Sequence, residues 1–135
     1  MVEREDGVRV KVIAGAVDGV AGAVTGIVTE PTYLDVMLPA NGRFVHAVPK
    51  GHTAFVYVYE GEAAIGDDGQ SLTAGELGVL TAGEEIAVNA AGAETRLLLV
   101  AGRPLKEPVA RRGPFVMNTQ LEISQAIADY QAGRF

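Results

Sequence analysis

"RFVHAVPKGHTAFVYVYEGE", residues 43–62, carries both histidines of the chain and half of its aromatic side chains. Two runs, "RFVHAV" and "TAFVYVYEG", flank Pro49-Lys50-Gly51. Period-two alternation marks strands with one face buried, and Pro-Lys-Gly is turn chemistry, so the stretch reads as a β-hairpin. Even-numbered residues of the two runs share one side. His46, His52 and Glu60 stand on that side, and Phe55, Tyr57 and Tyr59 on the other. Two histidines, a glutamate and a closing glycine have the outline of a metal site. Whether the chemistry is present decides between an enzyme and a binding protein.

The same alternation continues in both directions. Val8, Val10 and Val12 alternate with Arg9 and Lys11, and "TYLDVML", "EAAIG", "QSLTA", "LGVLTA", "EIAVNA" and "TRLLLVAG" follow the pattern. Turn residues separate them at Pro39-Ala40-Asn41-Gly42, Asp67-Asp68-Gly69, Ala74-Gly75 and Ala82-Gly83. Eight or nine short strands at this spacing predict an all-β sandwich or barrel. The chain has 17 glycines, where ordinary usage would give about nine or ten. That excess fits many tight turns. Residues 14–26, small and glycine-rich, read as a loop or an irregular edge.

Bulk properties bound the function. At 135 residues, 48% of them hydrophobic, the chain suits one domain with a real core. A formal net charge of -6 repels phosphates, so nucleic-acid binding is not expected. Without cysteine there are no disulfides, thiol nucleophiles or thiolate metal sites. The charged opening "MVEREDG" has no apolar signal region, and no stretch is long enough to span a membrane. A cytoplasmic protein is the expectation.

The last segment changes period. "NTQLEISQAIADYQAGRF" opens with Thr119 and Glu122 at capping-box spacing. Ile123, Ala126, Ile127 and Tyr130 then form one apolar stripe at helical spacing. Gly133 stands where a C-terminal cap belongs. These signals predict a barrel over about residues 8–101, a linker over about 102–118 and a helix over about 119–132. The stripe, with Ile127 expected to be mostly buried, must pack on the barrel or on another chain.

The strand succession and its glycines resemble the cupin superfamily of jelly-roll β-barrels (double-stranded β-helices). Its motifs, G-x5-H-x-H-x3-E-x6-G and G-x5-P-x-G-x2-H-x3-N, supply three histidines and a glutamate as metal ligands. Anchored on Gly42 and Gly61, the first fits this chain without a gap and puts Val48, Lys50 and Ala54 at the ligand positions. Anchored on Gly75 and Gly83, the second puts Ile86 at the histidine, Thr81 at the proline and Ala90 at the asparagine. The turn glycines remain while the ligands do not.

A substitute site from the histidines present is limited by distance. Glu60 lies eight residues beyond His52, roughly 26 Å along a strand at about 3.3 Å per residue. One ion cannot join them, so Glu84 is the candidate third ligand beside His46 and His52. The simpler reading makes the two histidines rim residues with ordinary hydrogen bonds. The row Phe55, Tyr57 and Tyr59 is either covered by the chain itself or a docking face.

"VKVIAG", "TYLDVMLPANGRFVHAVPKGHTAFVYVYEGE" and "GPFVMNTQLEISQAIADYQAGRF" are more specific. They resemble the C-terminal cupin domain of pirins over nearly the whole chain. Pirins pair two cupin domains, and the resemblance implies that the iron site belongs to the N-terminal one, which has no counterpart in this sequence. Quercetin 2,3-dioxygenase activity and iron-linked co-regulation of transcription, as family activities, would go with that half. The expectation is one metal-free cupin domain, residues 1–135, acting as a binding or assembly module without catalysis or cofactor. Its expected assembly is a homodimer, through Phe55, Tyr57 and Tyr59 or through Ile123, Ile127 and Tyr130. Two alternatives stand beside it: a small quercetinase-like dioxygenase holding iron or another divalent metal at His46, His52 and Glu84, and one half of a split pirin that pairs with a separate N-terminal-like domain.

Overall fold

A computed structural model describes residues 1–66, 69–80 and 84–134. Asp67, Asp68, Thr81, Ala82 and Gly83 lie outside the described residues, and with them two of the expected turns and part of the second cupin motif. The chain divides into two compact units, Met1–Pro104 and Leu105–Phe135.

The first unit carries β1 (Val2–Glu3), β2 (Arg9–Ala14), β3 (Ala16–Val17), β4 (Val20–Ala21), β5 (Thr32–Leu38) and β6 (Arg43–Ala47). It continues with β7 (Thr53–Glu60), β8 (Glu62–Ile65), β9 (Gln70–Thr73), β10 (Leu77–Leu80), β11 (Glu85–Ala90) and β12 (Thr95–Gly102). Each run that alternates in the sequence is a strand. One sheet has the order β1-β2-β5-β12-β7-β10 and the other β6-β11-β8-β9, with antiparallel pairing throughout. Sequence neighbours are thus seldom sheet neighbours, which is jelly-roll connectivity.

The alternation sorts side chains as the period dictates. On β5, Thr32, Leu34, Val36 and Leu38 are buried and the residues between them are half-buried. Across β12 and β7 the inward set is Leu97, Leu99, Ala101, Ala54, Val56 and Val58. Phe44, Ile65, Ile86 and Val88 meet it from the four-stranded sheet in one continuous core. Gly61, at φ +82°, makes the β7–β8 turn, where a Cβ would stand 2.5 Å from the Glu94 carbonyl oxygen. Only glycine fits there. The buried Thr95 closes that corner by donating its hydroxyl to the Glu62 carbonyl at 3.0 Å.

Two expectations change. The stretch from 43 to 62 is not a hairpin, because β6 belongs to the four-stranded sheet and β7 to the six-stranded one. The connection is a turn in which the His52 amide donates to the Pro49 carbonyl at 3.1 Å, with Gly51 at φ +84°. The chain crosses there from one layer to the other, yet even-numbered residues still face inward on both strands. The segment from 14 to 26 is also more ordered than a loop. β3 and β4 pair around Asp18 (φ +48°) and Gly19 (φ +79°), the two positive angles that a type I′ hairpin turn needs.

The second unit pairs β13 (Ala110–Arg112) with β14 (Phe115–Met117) and adds α1 (Gln120–Gln131). The segment expected as a linker therefore contains a hairpin, turned at Gly113-Pro114. Thr119 caps α1: its hydroxyl oxygen accepts from the Glu122 amide at 3.2 Å, and the hydroxyl donates to the Glu122 carboxylate at 3.0 Å. At the other end Gly133 (φ +74°) donates to the Tyr130 carbonyl and Arg134 to that of Asp129, a Schellman closure. The helix lies against β13 and β14. Its deepest residues are Ile123, 1% exposed, and Ala126. Ile127 lies between buried and exposed, in keeping with a mostly covered side chain, and Tyr130 is 66% exposed with its ring edge-on to Phe115. Two strands of three residues cover a narrower stripe than a full sheet would. No helix among the described residues is long and apolar enough to cross a membrane.

Candidate functional site

The inward parity of β6, β7 and β11 carries the cupin ligand positions to one place. Val48, Ala54 and Ile86 are buried and line one cavity of about 440 Å³ between the sheets. β11 and β6 are held in register there, with Ile86 opposite His46 and the Val48 amide donating to the Glu84 carbonyl at 2.8 Å. Lys50 is exposed in the turn. Ile65 and Leu72 complete the apolar wall, and His52, Gln70 and Glu85 are its polar members. Saturated side chains offer iron no lone pair, and the three imidazoles and one carboxylate of the cupin pattern are absent from these positions. The residues here do not fit the metal that the cupin fold implies.

A second cavity, of about 500 Å³, shares His52 with the first and is lined by Arg4, Asp18, Glu30, Thr32 and His46 among others. The Asp18-Gly19 turn delivers Asp18 to Arg4, whose Nε and Nη2 donate to the carboxylate at 2.8 and 3.0 Å. The guanidinium also lies 5.1 Å from the Phe44 ring centroid, and Phe44 stacks on His46 at 6.0 Å with the planes 9° apart. The hydrogen bond from Arg4 holds the Asp18 carboxyl below its usual value. Burial first, and then the Arg4 charge, push the His46 imidazole below 6.5. The lowered pKa favours the neutral imidazole that a metal would need, but the Asp18 carboxylate of the same cavity is committed to Arg4.

The structure thus brings His46 and His52 to one cavity and leaves Glu84 out of both. The Glu84 side chain is exposed. Among the described residues no group of three histidines, cysteines or acids is placed to hold an ion. Glu60, at the far end of β7, pairs with Arg96 at 3.0 Å. The sequence reading did not reach Arg4 and Asp18, which are fourteen residues apart. The Asp-Gly pair at 18–19 was the one local signal for them.

On the opposite side of β7, Phe55 and Tyr57 are half-buried and Tyr59 is 39% exposed. The Tyr59 hydroxyl donates to Asp35 at 2.7 Å. Burial and that bond push its pKa up to about 12. Beside this row on the edge strand β10, Leu77 and Val79 are 52% and 70% exposed. Leu98 and Val100 of β12 extend the same face. Ile123, by contrast, is withdrawn into its own chain and offers no assembly surface.

Two facing antiparallel sheets with these turns define a cupin. The pirin C-terminal cupin domain matches residues 33–135, and the chain belongs to the pirin family. A Pseudomonas aeruginosa protein, whose name proposes quercetin 2,3-dioxygenase activity, is 44% identical over 98% of this chain and 48% of its own length. Human pirin is 40% identical over 94% of this chain and 44% of its own. A crystal structure of quercetin 2,3-dioxygenase from Acinetobacter baumannii superposes on all of this chain and 46% of that one, with TM-score 0.85 and 35% identity. The chain spans about half the length of the curated relatives it matches.

Proposed function

We propose that this chain acts as a cytoplasmic cupin module that binds or assembles, holds no metal and catalyses no oxygen chemistry of its own. The observation that carries the reading is the identity of Val48, Ala54 and Ile86, which are buried aliphatic side chains where the cupin pattern calls for metal ligands. Proteins about twice as long carry the dioxygenase names, so their activity need not reside in the part matched here. Oxygen uptake with quercetin, measured with and without added ferrous iron, should stay at the protein-free rate. Iron-dependent uptake abolished in His46→Ala would instead establish the dioxygenase alternative. That alternative draws its support from the relatives' names and from the two histidines meeting at one cavity.

The assembly part of the proposal rests on the outer face of the six-stranded sheet. Leu77, Val79, Phe55, Tyr57 and Tyr59 give it apolar area unusual for a water-facing surface. A two-fold pair lets one patch serve both sides, and a specific contact would bury more than about 1,000 Å² in total. Light scattering at micromolar concentration should give about twice the 14.1 kDa chain mass. A mass of one chain would refute the pair.

A further inference from the structure

We propose that the 440 Å³ cavity beside His52 is a binding site for a small, neutral, amphipathic molecule with an aliphatic part and one acceptor oxygen, a carbonyl or a hydroxyl. The inference rests on the metal-free reading, since an ion at His52 would occupy the nitrogen that the ligand needs.

Size comes first. The volume falls in the range of about 300–1,000 Å³ that small-molecule sites occupy. Val48, Ala54, Ile65, Leu72 and Ile86 give one side of it an aliphatic wall, while about half of its accessible lining is polar, so apolar surface is rewarded on that side only. The apolar positions that displace the metal ligands are the same ones that make this wall.

Polarity comes from His52. Its Nδ1 is buried and has no hydrogen-bond partner among the described residues, and its Nε2 is not a buried atom. A buried N–H without an acceptor is rarer in folded proteins than a buried lone pair without a donor. In the neutral form of the ring the proton therefore sits on Nε2, and His52, as a lining residue, can present a donor to the cavity. An acceptor oxygen completes it.

Charge selects the rest. Among the described lining residues Glu85 is, besides His52, the ionisable side chain, and none of them is lysine or arginine. The chain as a whole carries a net charge of -6. A carboxylate entering here meets like charge and loses its hydration without a cation to replace it. A neutral oxygen meets neither cost.

The test is a methyl NMR titration of the full chain with 2-octanone and, separately, with octanoate. 2-Octanone should shift the Ile65, Leu72 and Ile86 methyl signals in a saturable way and bind at least about tenfold more tightly than octanoate. His52→Phe, which keeps the ring and removes both nitrogens, should weaken 2-octanone by about tenfold and leave octanoate unchanged. Unmoved cavity methyls at millimolar ketone, equal binding of ketone and acid, or full ketone affinity in His52→Phe would each overturn the proposal. Should His52→Phe not fold, the ketone-to-acid ratio in the wild-type chain decides alone. Iron-dependent quercetin turnover would defeat the non-catalytic reading by a different signal, so the two failures are distinguishable.

Discussion

The two faces of β7 are built from the same eight residues and obey different rules. Inward stand Ala54, Val56 and Val58, small and buried, matched across β12 by Ala101, Leu99 and Leu97. Outward stand Phe55, Tyr57 and Tyr59, larger, partly wet, and ending in a hydroxyl bonded to Asp35. The inner face is constrained by volume, because close-packed layers tolerate neither a hole nor an extra methylene. The outer face has no such constraint, and its size and apolarity are the ground for the assembly proposed above. The contrast also separates the fold from the chemistry. A cupin can exchange ligands for aliphatics on the inner face and keep its turns.

Substitution on the inner face should have the largest effect. Leu99→Ala empties a fully buried position opposite Val56 and should cost about 2–5 kcal/mol in denaturant melts. A loss near zero would mean that the layers do not pack as described.

On the outer face, Tyr59→Phe removes one partly exposed hydroxyl and should cost about 1 kcal/mol. In the same variant an ultraviolet titration should lose the transition near pH 12 that Tyr59 supplies to the wild-type chain. A Tyr59 that ionises near the ordinary tyrosine value of about 10 would remove the Asp35 bond from the account.

His46 gives a smaller, pH-dependent term. Burial and Arg4 lower its pKa in the folded chain, so around and below the ordinary value near 6.5 the unfolded chain binds more protons. Its stabilising contribution is then complete above that value and lost as pH falls through the lowered one. His46→Gln should therefore lose less stability than the wild-type chain between about pH 7.5 and 5.5. An equal or larger loss would contradict the shift.

Val79→Asp should have the smallest effect on stability, within about 0.5 kcal/mol, because the side chain is already 70% exposed. It should nonetheless shift the light-scattering mass toward one chain. Unchanged dimer mass would move the contact away from β10.

Much of the first unit was legible because period-two alternation is local evidence: each run from Val8 to Gly102 needs only its own pattern. The capped helix was legible for the same reason. What escaped were short hairpins. Val17-Asp18-Gly19-Val20 has two-residue strands, too brief for any alternation to register, although the Asp-Gly turn was in view. Ala110–Met117 hides its strands behind Arg111 and Arg112, whose charge reads as loop. That omission had a consequence, since the helix stripe was expected on the barrel or on another chain, and the hairpin it lies against was not foreseen. The candidate site divides in the same way. The aliphatic ligand positions follow from spacing alone. The company of His46, with Arg4, Asp18 and Phe44 gathered from three separate stretches, is a product of tertiary folding that no local pattern encodes.

The most direct test of the central claim is elemental analysis of the purified chain after dialysis against iron, nickel, copper and zinc in turn. With Val48, Ala54 and Ile86 where ligands would stand, each metal should remain far below one equivalent, and His46→Ala should make no difference. Close to one equivalent of any of them, lost in His46→Ala, would show that the histidines rebuild a site and that the chain is not the metal-free module described.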